Sequence, residues 1–217
     1  MTYIKICGIK TEEQALDAAE AGADYIGMVF TTSPRQVTPV QAKKIIAILK
    51  LSYPMVKTVG VFVNMAAPRV QSLAEKCNLD YVQLHGNEPW ESCLEIARPI
   101  IKVARVARNY SPDFICKNFE YGKKLLAGRK LLFMLDTSAK DKFGGTGRTF
   151  DWSQAHVIAE KFPVIVAGGL NPDNVTAAIE MIKPWGVDVS SGVETKGVKD
   201  MKKIKKFIKA VREADGK

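Results

Sequence analysis

The sequence predicts an α/β fold, a single (β/α)8 TIM barrel formed by residues 1–217, and three observations carry that prediction. Short apolar runs alternate with amphipathic helical patterns along the whole chain. The units number eight, each a strand followed by a helix. Most of the runs are apolar on both faces, as parallel strands covered by helices must be. The 217 residues suit a barrel of this kind, which needs about 200–250. A doubly wound open sheet is the alternative. It would carry fewer units and a glycine-rich fingerprint after the first strand, and Cys7-Gly8-Ile9 is no such fingerprint.

The first strand is expected at Tyr3–Ile6. Gly8 breaks it, and Thr11-Glu12-Glu13-Gln14 opens a helix over Glu12–Ala21 with a capping-box pattern. Tyr25–Phe30 and Pro39–Leu49 make the second unit, Val56–Val63 and Ala66–Cys77 the third, with Asn64 as a cap for its helix. Tyr81–Leu84 with Pro89–Ala97 and Ile100–Val106 with Pro112–Leu126 follow. Leu131–Leu135 precedes a helix over Ser153–Lys161 that Asp151 or Ser153 can cap. Val164–Ala167 precedes Pro172–Ile182, with Pro172 at the first helical position. Val187–Val189 and Met201–Ala214 complete the set. The longest loop runs from Thr137 to Phe150, and its Gly, Lys and Asp content suits an active-site lid.

Composition narrows the setting. A chain with 47% hydrophobic residues and this length can bury roughly 70% of its unfolded surface in one core. No apolar run approaches the ~18 residues that span a bilayer, and polar and charged residues follow Met1 with no signal-peptide pattern. Cys7, Cys77, Cys93 and Cys116 show neither CxxC nor zinc-ligand spacing, so a reduced cytoplasm is the expected location. Much of the net charge of +9 lies in 196–217, where Ile204, Phe207, Ile208 and Val211 keep one apolar stripe; the lysines there are expected on the wet side of a last helix, the alternative being a basic enzyme that draws in an anionic substrate. No basic–aromatic interleaving points to nucleic acid.

In such a barrel, reactive groups sit at the C-terminal ends of the strands. Cys7 stands at the end of the first, a thiol open to three roles: base, nucleophile or small buried apolar residue. Arg35 follows the second in Ser33-Pro34-Arg35 and can fork onto a carboxylate. His85 ends the fourth; base, hydrogen-bond donor and packed polar residue all remain open for it, and it is placed with the substrate-binding groups. Asp136 ends the sixth, where desolvation favours a protonated carboxyl and suits a general acid. Gly168-Gly169 after the seventh and Ser190-Ser191-Gly192 after the eighth sit where this fold commonly binds phosphate through backbone N–H groups and hydroxyls.

The motifs occur together and in order: Lys5-Ile6-Cys7-Gly8-Ile9, Ser33-Pro34-Arg35, Val82-Gln83-Leu84-His85-Gly86, Leu135-Asp136, Gly144-Gly145-Thr146-Gly147, Phe150-Asp151-Trp152, the run Ala167 to Val175, and the run Val187 to Glu194. In this the chain closely resembles the phosphoribosylanthranilate isomerases of tryptophan biosynthesis, from Lys5 to about Asp200. The resemblance implies an Amadori rearrangement of N-(5-phosphoribosyl)anthranilate to 1-(2-carboxyphenylamino)-1-deoxyribulose 5-phosphate, with no cofactor, metal or redox step. It implies Cys7 as general base, Asp136 as general acid, Arg35 on the anthranilate carboxylate and Asp188 in the substrate site. Phosphate is implied at Gly168, Gly169, Ser190, Ser191 and Gly192. The expected partner is the small phosphosugar–anthranilate substrate, with neither membrane nor nucleic acid, in a monomer or homodimer. A thiol of ordinary pKa, about 8.5, is mostly protonated at pH 7, so a lowered pKa is expected for Cys7. Competing readings are a histidine-pathway isomerase or a bifunctional enzyme, whose relatives carry Asp in place of Cys7, a Schiff-base enzyme using Lys5 or Lys102, and a basic nucleic-acid-binding module.

Overall fold

The computed structural model describes residues 1–106, 111–136 and 152–216. Eight parallel strands close into a barrel in sequence order. They are β1 (Tyr3–Cys7), β2 (Tyr25–Val29), β3 (Lys57–Phe62), β4 (Tyr81–Leu84), β5 (Ile100–Arg105), β6 (Leu131–Asp136), β7 (Val164–Ala167) and β8 (Gly186–Val189). Closure runs through β1 and β8, whose register sets Lys5 beside Asp188. Helices α1 (Glu12–Glu20), α2 (Pro39–Ser52), α3 (Ala67–Cys77), α4 (Pro112–Leu125), α5 (Trp152–Ala159), α6 (Val175–Ile182) and α7 (Met201–Asp215) return the chain between strands and close the last unit.

The strand period of two sorts each strand into two cores. Ile4 and Ile6 of β1 face outward and join Phe62, Phe119 and Phe207 in the large layer between sheet and helices. Lys5 and Cys7 alternate with them and share the barrel interior with Val59, Ile101, Met134 and Ile165. Aromatic rings fill the N-terminal end of that interior: Trp185 stacks on Tyr3 with centroids 4.2 Å apart, and Tyr25 meets Tyr81 edge-on at 5.5 Å. The bottom of the barrel is therefore plugged, and polar groups collect at the other end.

Several local expectations are corrected. The segment expected as a helix over Pro89–Ala97 is a 3-10 helix, Trp90–Glu95. It makes two 3-10 turns closed by i→i+3 bonds such as Ile96 N–H to Cys93 O. Asn64 does not cap α3, whose N-cap is Ala66. Its backbone is left-handed at φ 50°, and its Oδ1 accepts from Asn87 N–H at 2.8 Å, tying the loop after β3 to the loop after β4. Pro172 lies before α6 rather than in its first turn. At α1 the Thr11 hydroxyl accepts from Gln14 N–H, but Gln14 Oε1 reaches Lys10 N–H, one residue short of a full box. The complete box stands at Thr38 and Gln41 on α2, where the sequence reading had not placed one. In α7 Ile204, Phe207, Ile208 and Val211 are buried, and Lys202, Lys205, Lys206 and Lys209 are exposed, as the stripe predicts. The expected lid at Thr137–Phe150 and the Asp151 cap lie outside the described residues, as does the whole Gly144-Gly145-Thr146-Gly147 motif.

Candidate active site

Cys7 closes β1 inside the barrel and is 8% exposed. Two residues earlier on the same face, Lys5 is almost wholly buried, and its ammonium donates to Asp188 Oδ1 at 2.8 Å across the β1–β8 seam. Gly27 of β2 makes room for both side chains. A Cβ on Gly27 would stand 2.9 Å from Lys5 Nζ and 3.0 Å from Cys7 Sγ, so amine and thiol converge where that glycine has no side chain. Desolvation opposes the Lys5 charge, but Asp188 and Cys7 outweigh it, and the Lys5 pKa is raised. Burial pushes the Cys7 thiol up, with Asp188 adding to the shift, and the Lys5 charge offsets it only in part. The lowered pKa expected for Cys7 is therefore corrected: proximity to a cation is present, but desolvation outweighs it.

Asp136, the last residue of β6, is 9% exposed. Its Oδ2 lies 2.8 Å from His85 Nε2. The other ring nitrogen, Nδ1, lies 2.8 Å from Gln83 Nε2, two residues back on β4. Arg105, the β5 register partner of Asp136, donates through Nη2 to the His85 carbonyl at 2.9 Å.

Arg35 lies over Gly8, where any side chain would meet its stem. It finds a carboxylate within the protein: Nε donates to Glu194 Oε1 at 2.7 Å and Nη2 to Oε2 at 2.6 Å. Lys199 Nζ reaches the same carboxylate at 2.6 Å and Ser190 O at 2.9 Å. Burial works against the Glu194 charge, but the bonds from Arg35 and Lys199 prevail, and its carboxyl is held at about 2. Burial lowers the Lys199 pKa, against the pull of Glu194.

Gly168 and Gly169 both take positive φ, 95° and 67°, a turn that side chains strongly disfavour. Asn174 braces this turn by donating through Nδ2 to Gly169 O at 3.0 Å and accepting at Oδ1 from Asn171 N–H at 2.8 Å. A side chain on Gly192 would overlap the Leu170 carbonyl, so the loops after β7 and β8 are packed directly together. The Ser190 hydroxyl donates to Cys7 O at 3.1 Å and is thus spent on the protein, whereas Ser191 is exposed.

A cavity of about 330 Å³ opens at the C-terminal ends of the strands, and Cys7, Arg35, His85, Asp136, Gly168, Gly169, Asp188, Ser190, Ser191 and Gly192 all line it. The sequence-predicted residues are thus brought together. Sequence reasoning missed the supporting roles of Gln83, Glu194, Lys199 and Asn174. Gln83, Asn174 and Glu194 lie inside the quoted motifs, and their position beside His85, after Gly168-Gly169 and after Ser190-Ser191-Gly192 was the available signal. Lys102, one of the two Schiff-base candidates, does not line the cavity: it donates to Glu88 O at 2.7 Å and sits by the Trp90 ring. Lys5, the other, is held as a buried ammonium by Asp188.

Fold and cavity together define a (β/α)8-barrel enzyme with its ionisable groups gathered at the strand C-termini. Residues 4–210 match the family described as N-(5'phosphoribosyl)anthranilate (PRA) isomerase, and the chain belongs to that family. The N-(5'-phosphoribosyl)anthranilate isomerase of Dehalococcoides mccartyi is 45% identical over 216 residues, covering 100% of this chain and 98% of the relative. The crystal structure of phosphoribosyl anthranilate isomerase from Thermotoga maritima superposes with a TM-score of 0.82 at 38% identity, over 98% of this chain and 100% of that one. A crystal structure of phosphoribosyl anthranilate isomerase in complex with reduced 1-(o-carboxyphenylamino)-1-deoxyribulose 5-phosphate is similar with a TM-score of 0.78 at 36% identity, over 98% and 100% of the two chains.

Proposed function

We propose that Cys7 and Asp136 are the base and the acid of the reaction this family membership assigns to the chain, the isomerisation of N-(5-phosphoribosyl)anthranilate in tryptophan biosynthesis. The observation that carries the assignment is that thiol and carboxyl line one cavity together with the turn at Gly168-Gly169. Asp136 gives its proton to the furanose ring oxygen. The C1′–O bond breaks, and the anthranilate nitrogen lone pair forms the C=N bond of a protonated Schiff base. That cation acidifies the C2′ proton, which the Cys7 thiolate removes; the electron pair left at C2′ forms the C1′–C2′ double bond and neutralises the nitrogen. The enolamine then gains a proton at C1′ and loses one from its hydroxyl, giving the ketone. Burial makes the thiolate the minor form of Cys7, so the reacting enzyme is the fraction whose thiol proton has already been lost to solvent, and the nearby Lys5 ammonium is assigned to stabilise that thiolate. Asp188 anchors Lys5 and lines the cavity, where it is assigned to the substrate site.

Arg35 is assigned to the anthranilate carboxylate. Glu194 grips its Nε and Nη2 and leaves the guanidinium oriented for a ligand at Nη1. The phosphate is assigned to Gly168, Gly169, Ser191 and Gly192, with Ser190 acting through the loop rather than through its hydroxyl. His85 is assigned to orienting Asp136. No helix among the described residues is long and apolar enough to cross a membrane; a cytoplasmic enzyme, monomeric or homodimeric, fits a small phosphosugar substrate and four unpaired cysteines. A crystal structure with reduced 1-(2-carboxyphenylamino)-1-deoxyribulose 5-phosphate bound tests these assignments. Phosphate between Gly169 and Ser191, and the carboxylate on Arg35, is the expected result; phosphate bound away from both loops would overturn the orientation.

A further inference from the structure

His85, Gln83 and Asp136 form a chain of hydrogen bonds whose donors can be worked out from chemistry alone. Gln83 is fully buried on β4. Its amide nitrogen lies 2.8 Å from His85 Nδ1 and 3.5 Å from Met134 Sδ. Its carbonyl oxygen is buried with no hydrogen-bond partner among the described residues. Turning the amide over would set two N–H groups into that partnerless position and take a donor away from the sulfur. One unsatisfied carbonyl is the cheaper arrangement, since an amide nitrogen brings two donors that must be met. The orientation with nitrogen toward His85 is therefore the favoured one.

An amide nitrogen only donates, so His85 Nδ1 must present its lone pair. A ring bare at Nδ1 carries its proton on Nε2, which points at Asp136 Oδ2 from 2.8 Å. We propose that Gln83 is a positioning residue that holds His85 as a neutral ring protonated at Nε2, fixing Asp136 Oδ2 as the acceptor and placing the acid proton on Oδ1. The proposal deepens the reading of Asp136 as general acid and rests on it. Its physical content is the exclusion of an imidazolium. A doubly protonated ring would turn an N–H against the Gln83 amide, and its charge would hold Asp136 as a carboxylate with no proton to give. Among the described residues, charged groups near the pair include Arg105, which donates to the His85 backbone and neighbours Asp136 in register, and Glu88, whose carboxylate is taken by Gly86 N–H and Lys102.

The ring nitrogens of His85 report this directly. The chain has two histidines, so a His156→Gln background leaves one imidazole in the ¹⁵N spectrum. At neutral pH the expected result is a bare Nδ1 and a protonated Nε2. In Gln83→Glu the carboxylate accepts from Nδ1, so both nitrogens should be protonated, and turnover should fall at least ~10-fold while KM stays nearly unchanged. Gln83→Met, apolar and of similar size, should release the tautomer and lower turnover without creating the cation. A wild-type ring protonated at Nδ1, or a Gln83→Met ring and turnover both like wild type, would overturn the proposal. Full turnover in Asp136→Asn would instead sink the acid assignment and leave the tautomer result standing.

Discussion

Cys7 and Lys5 meet over Gly27, and the base role proposed for the thiol depends on that meeting. Gly27→Ala should therefore be costly twice over. A methyl group 2.9 Å from Lys5 Nζ forces a shift worth roughly 1–3 kcal/mol of overpacking, and it separates amine from thiol. Thermal unfolding and turnover measured on this variant should both fall; a variant that lost neither would show that the convergence is unimportant. For Asp136→Asn, turnover should drop at least ~100-fold with KM little changed, because the proposed role of the lost group is to protonate the reacting ring oxygen. Steady-state kinetics with purified variant check this. Cys7, Asp136 and the glycines were legible in sequence because strand ends can be read from the apolar runs, and barrel chemistry collects there. Lys5 was read only as a Schiff-base candidate, because its partner Asp188 lies 183 residues away and only barrel closure brings them together. The direction of the Cys7 pKa was misread for a related reason. A sequence displays neighbouring charge, but burial is a property of the whole barrel.

The loops after β7 and β8 and the Arg35–Glu194–Lys199 cluster join elements that are distant in the chain. Glu194 is followed by a short antiparallel pair, Glu194–Thr195 with Val198–Lys199, which brings Lys199 back onto the Glu194 carboxylate. That folded carboxyl sits at about 2, below the ordinary Glu value of about 4.3. A carboxyl depressed on folding stabilises the protein above its unfolded value, and the contribution disappears as pH falls through the folded one. The melting temperature should thus decline between about pH 5 and pH 2, and Glu194→Gln should flatten that decline. Parallel curves for the two proteins in calorimetry would remove the cluster from the stability of this corner. Strand boundaries were legible to within one residue throughout. The departures lie in the helices: the segment after β4 forms only the 3-10 helix Trp90–Glu95, and Pro172 belongs to a turn that Asn174 organises, so neither behaves as helical periodicity alone suggests.

The barrel as a whole separates its tasks by layer and by end. The outer layer holds helices to sheet: Phe207 of α7 is fully buried there, and Phe207→Ala should cost about 3–5 kcal/mol in denaturant unfolding while leaving the site residues in place. The aromatic plug closes one end of the interior, and the polar groups at the other end face the cavity. The barrel and the place of its site were legible from eight apolar runs alternating with helical patterns; the aromatic plug and the supporting contacts of Gln83, Glu194, Lys199 and Asn174 were not, because they depend on which strands close against which. The assignment on which everything else depends is Cys7 as the base. Turnover of wild type and Cys7→Ser across the pH range from neutral to beyond the ordinary thiol value tests it most directly. Burial raises the Cys7 pKa, so wild-type turnover should climb with pH as thiolate forms, and Cys7→Ser should lie at least ~100-fold lower without that climb. Near-wild-type turnover in Cys7→Ser, following the same pH curve, would contradict it.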